Sequence, residues 1–81
     1  MNQYFYHQYL KEYIGEAIRN SNGTNAGISE HLWEIPAAGR LSRHREEKQR
    51  ALQDARAAFS EHRHWPREII LKHLGIEIEG N

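Results

Sequence analysis

LSRHREEKQRALQDARAAFSEHRH, residues 41–64, runs for two dozen positions without a glycine or a proline. Arg, Glu, Lys, Gln, Ala and Leu dominate it, and summed over such a window these are strong helix formers, so one long helix is predicted. Its two halves differ. From Ala51 onward Leu52, Ala55 and Phe59 recur at helical spacing, with Ala51 and Ala58 beside them, which makes a stripe able to pack against other elements. From Arg40 to Arg50 the only large apolar side chain is Leu41, while Arg40, Arg43, Arg45, Lys48 and Arg50 crowd around Glu46 and Glu47. That half is expected to face water or a partner, steadied by Arg43–Glu47 and Glu46–Arg50 pairs at the i, i+4 spacing.

Upstream, residues 2–20 predict a first helix, since Tyr6, Leu10, Tyr13, Ile14, Ala17 and Ile18 fall at three- and four-residue steps. Gly15 inside it suggests a close helix crossing. Asn20-Ser-Asn-Gly-Thr-Asn stops the helix, because these residues favour turns and Gly23 accepts positive φ. A short helical turn is predicted over 29–34, with Ser29 as N-cap, ending before Pro36, which forces Ile35 out of the helical region. Downstream, Trp65-Pro66 breaks the long helix and opens a last one over 66–74, closed by Gly75. Ile76-Glu-Ile-Glu alternates in strand fashion and is suited to joining another protein's sheet edge. The expected fold is all-α: one helical domain spanning 1–81, with three main helices and a short turn. The absence of valine agrees with this.

Net charge is zero with histidine neutral, but it is segregated. Residues 1–38 carry two basic and four acidic side chains, residues 39–67 eight basic and four acidic, and residues 68–81 one basic and three acidic. A basic middle between acidic ends pairs within the fold, across two copies, or with an anionic partner. With no cysteine there is neither a disulfide framework nor a cysteine zinc site, and a cytoplasmic location is expected. No apolar run approaches the about 20 residues that span a bilayer, and the opening MNQYFYHQYLKEY lacks a secretory pattern, so no membrane partner is expected.

Six histidines invite a metal reading, but His62 and His64 are two apart, which on a helix points them to different faces, so neither metal nor cofactor is expected. Arg56 and His62, in Arg56-Ala-Ala-Phe-Ser-Glu-His62, resemble the spaced arginine and histidine of the HEPN ribonucleases. That resemblance covers those two residues alone and implies a longer, dimerising helical bundle that brings two such pairs together. The convergent acid, base and nucleophile of an enzyme are otherwise missing. What stands out is surface. Tyr4, Phe5, Tyr6, Tyr9 and Tyr13 cannot all face one direction on a helix, so some are exposed, and exposed tyrosine is favoured at interfaces. Trp33 and Trp65 add further aromatic area. The sequence therefore predicts a non-enzymatic module that docks on a larger protein as a regulator, inhibitor or accessory subunit. Tyr4, Phe5, Tyr9, Arg40, Arg43, Arg45, Lys48 and Arg50 are its contact residues, with homodimerisation through the same surfaces. The alternative reading is nucleic-acid binding by the basic stretch Arg40–Arg50, although a pI near 7 lies far from the strongly basic footprint of that class. A ribonuclease using Arg56 and His62 is the third.

Overall fold

Local capping and turn chemistry sets most of the helix ends. The computed structural model describes residues 2–78, in which four helices occur: α1 (Gln3–Arg19), α2 (Asn25–Glu34), α3 (Arg45–Glu61) and α4 (Arg67–His73). Asn2 caps α1, its side-chain oxygen accepting from the N–H groups of Tyr4 at 2.8 Å and Phe5 at 3.3 Å. At the other end both the backbone and side-chain nitrogens of Asn20 donate to the Glu16 carbonyl at 2.9 Å.

The turn expected over 29–34 is the end of a ten-residue helix. Thr24, not Ser29, is its N-cap, accepting from Gly27 N–H at 3.0 Å, while Asn22 accepts from Thr24 N–H at 3.1 Å. This cap outweighs the poor helix propensity of Asn25 and Gly27. Ser29 lies inside α2, 3.1 Å from Ser60 of α3. Ile35 is extended before Pro36, as the proline requires.

The long helix is shorter than the composition of 41–64 predicts. It begins at Arg45, because His44 adopts the left-handed conformation (φ 54°, ψ 41°), which no α-helix continues through. Leu41 to His44 therefore belong to a loop. The radius of gyration, 11.9 Å, matches the about 12 Å of a compact chain of this length.

α4 closes with a Schellman motif: Gly75 (φ 77°) donates to the Lys72 carbonyl at 2.9 Å and Ile76 to the Leu71 carbonyl at 3.0 Å. The apolar contact that accompanies this motif explains why Ile76 and Leu71 are both buried. The strand-like tail is thus turned inward at its start, and Ile78 packs partly on the core. Glu79 lies outside the described residues.

The core is built on the stripe of α3 that periodicity marks: Ala51, Leu52, Ala55, Ala58 and Phe59. α1 adds Leu10, Ile14 and Ala17, α2 adds Ile28 and Leu32, and α4 adds Ile70 and Leu71. α1 and α2 pack on α3 and on each other, so α2 is a full member of the bundle. Gly15 does not mark a close helix crossing, since a Cβ there would meet only the guanidinium of Arg19 at 3.3 Å. Among the described residues, no helix is long and apolar enough to cross a membrane.

Candidate docking surface

The first turns of α1 and α3 are tied together. Asn2 N–H donates to the Glu47 carboxylate at 2.8 Å, and this bond holds the Glu47 pKa below the usual carboxylate value. The tie sets Phe5 opposite the loop that precedes α3. There the Phe5 ring stacks on the His44 imidazole with centroids 3.8 Å apart, and Tyr9 stands one turn on, 6.0 Å from His44. Lys48 closes the corner: its ammonium lies 5.3 Å from the Tyr9 ring centroid and donates to Ser42 Oγ at 2.8 Å. A further turn, Ser42 N–H to the Gly39 carbonyl at 3.1 Å, shapes the loop.

Phe5, Tyr9 and Lys48 are therefore brought together, but their rings and ammonium face one another. They hold the loop in place. What the corner presents outward is Tyr4, 65 % exposed, and Leu41, 99 % exposed at the tip of the loop. Arg40, Arg43 and Arg45 flank Leu41 and are exposed. Among the described residues none of the three has a carboxylate within ion-pair distance, and the single pair formed joins His31 to Glu16 at 3.0 Å. The expected Arg43–Glu47 and Glu46–Arg50 pairs do not form. Arg43 lies outside α3, so the helical spacing no longer applies to it, and Glu47 is turned to Asn2.

Arg50 belongs to a different neighbourhood. Its charge acts on the phenol of Tyr6, which donates to the Asp54 carboxylate at 2.5 Å, beside a cleft of about 290 Å³ that Glu61, His62 and His73 also line. Burial, together with the bond to Asp54, pushes the Tyr6 pKa up from 10.0 to about 12. An acid whose folded-state pKa is raised contributes stability that is complete below its unfolded pKa and lost as pH rises through the folded one. Stability is therefore expected to fall between pH 10.0 and about 12. In alkaline denaturation followed by circular dichroism, Tyr6→Phe should lose this component. An identical alkaline slope in the two proteins would contradict the assignment.

No family model matches this chain, and no curated protein or solved structure is detectably similar to it. Arg56 and His62, the pair that resembles the HEPN ribonucleases, are not brought together. Arg56 donates to the Leu32 carbonyl at 2.9 Å and the Ile35 carbonyl at 2.7 Å, its guanidinium 4.6 Å from the Trp33 ring centroid. It thus closes the C-terminus of α2. His62 stacks on Trp65 at 3.8 Å and meets the His73 ring edge-on at 5.1 Å, on the side of α4. Among the described residues no three of His, Asp and Glu stand close enough to share a metal ion.

Two surface features escape the sequence reading. Leu41 counts there as part of a helix, and nothing local marks it as a loop tip. Trp33, 61 % exposed, borders a groove of about 450 Å³ on α2 and α3 with Ala26, Glu30, Glu34, Phe59 and Arg63 in its lining. Its position beside Pro36 is a signal for an anchor at a chain break, but not for an open groove.

Proposed function

We propose that the chain is a non-enzymatic, cytoplasmic interaction module that docks on a larger protein as a regulator, inhibitor or accessory subunit, using the corner formed by Leu41, Tyr4, Arg40, Arg43 and Arg45. The observation that carries this reading is a leucine 99 % exposed at the tip of a loop that is nonetheless held by stacking and hydrogen bonds. Leaving a leucine side chain in water forgoes about 1.5–3 kcal/mol of burial. A held loop keeps it there rather than letting it fold back. The occupant that fits is a protein surface with an apolar recess rimmed by carboxylates, which takes the leucine and answers the unpaired guanidinium groups. Phe5, Tyr9 and Lys48 support the loop from behind.

Immobilised protein should retain a partner stoichiometrically from host lysate, and nuclease treatment should leave that partner bound. Leu41→Ala should reduce retention at least tenfold, and Arg43→Glu with Arg45→Glu should abolish it while helical content stays unchanged. Retention unaffected by both variants would refute the assignment. The unpaired arginines also favour a second reading, nucleic-acid binding. That reading requires log affinity to fall with log salt at a slope of about −3 for three neutralised phosphates, with Leu41→Ala having no effect.

A further inference from the structure

The same basic corner has a complement on this chain. α2 carries Glu30 and Glu34, both exposed and, among the described residues, both without a cationic partner. They border the groove that lies beside Trp33 and reaches Ala26 and Phe59. Of the two arginines nearby, Arg56 is spent on the α2 carbonyls and on the face of Trp33, which leaves Arg63 as the one cation among the described residues of the groove lining, against two carboxylates. Leu41 and Trp33 are two of the four large apolar side chains exposed among the described residues. One has three unpaired cations around it and the other two unpaired carboxylates, on a chain whose net charge is zero.

We propose that the Leu41 loop of one copy docks into the Trp33 groove of a second copy, Arg40, Arg43 and Arg45 facing Glu30 and Glu34. Because the two patches are different surfaces of the same chain, two copies either exchange both contacts across a two-fold axis or join head-to-tail. In the second case each added copy leaves one loop and one groove unfilled, and the assembly grows unless the rotation closes a ring. This inference rests on the loop being a docking element and adds a consequence: self-association hides the loop, so a larger partner competes with assembly.

The test is a charge exchange read by sedimentation velocity. Wild-type protein should show a sedimentation coefficient that rises with concentration and falls back as salt is raised. Arg40→Glu/Arg43→Glu/Arg45→Glu and, separately, Glu30→Lys/Glu34→Lys should each weaken association at least tenfold. Mixing the two variants should restore it, since the intact groove of the first meets the intact loop of the second. Leu41→Ala, at a position too exposed to affect folding, should weaken association as well. A wild type that stays monomeric to millimolar concentration, a variant that associates like wild type, or a mixture that remains monomeric overturns the proposal. Glu30→Lys/Glu34→Lys should still capture a larger partner through its intact loop, so a wild type that captures a partner yet never self-associates defeats this inference alone. Loss of capture on Leu41→Ala is the separate measure of the docking reading.

Discussion

Replacing Phe59 with alanine is expected to destabilise the protein by about 3–5 kcal/mol, the range for emptying a fully buried aromatic site. Phe59 is fully buried on the face of α3 that joins Leu10 and Ile14 of α1, Ile28 and Leu32 of α2, and Ile70 of α4 in one cluster. Much of the remaining core surface of α3 is alanine, which offers little side-chain area to make up the loss. Chains of this length hold a total stability of about 4–12 kcal/mol, so the variant should sit near the edge of folding. A thermal melt followed at 222 nm should shift down by more than about 12 °C. A melt displaced by only a degree or two would mean that the core does not centre on this residue.

Arg56→Ala should cost about 2–3 kcal/mol, a large effect for a partly exposed arginine. Its guanidinium answers two carbonyls at the end of α2, those of Leu32 and Ile35, where no further helical N–H is available. Hydrogen bonds from a charged donor are among the stronger ones in proteins, and their loss strands the acceptors. The Trp33 ring loses its cation as well. Arg56→Lys should recover only part of the stability, because an ammonium cannot reproduce the planar fork that spans both oxygens. Urea denaturation with unchanged m-values measures this directly. RNA cleavage that depends on Arg56, in a variant of unchanged stability, would instead favour the ribonuclease reading.

The parts of this fold that depend on neighbours in sequence are legible in it. α1, predicted over 2–20 and found over Gln3–Arg19, is bounded by two asparagines whose capping is local. α4 is bounded by a proline and a glycine with equally local roles. The apolar stripe of α3 follows from its spacing alone. The start of α3 does not, because propensity favours helix from Leu41, while the backbone at His44 is settled by a stacking partner on α1 far away in sequence. The basic stretch illustrates the same limit. Once Leu41–His44 leaves the helix, the Arg43–Glu47 pair inferred from helical spacing is lost, and Arg40 and Arg43 become part of a surface rather than of a self-satisfied helix face. Arg56 resembles a catalytic residue by spacing, and only the approach of α2 to α3 shows it closing a helix end.

His44 is the one described non-glycine residue at positive φ, a backbone state that costs about 1–2 kcal/mol outside glycine. Stacking on Phe5 offsets this, and the loop it ends is shaped before any encounter. A binder that does not have to order its contact loop loses no time to conformational search. With arginines steering approach toward carboxylates, capture by a partner should proceed at rates governed by diffusion and ionic strength. Under the proposed function, lifetimes rather than capture rates would then separate good partners from poor ones, and Leu41 is the side chain expected to set them.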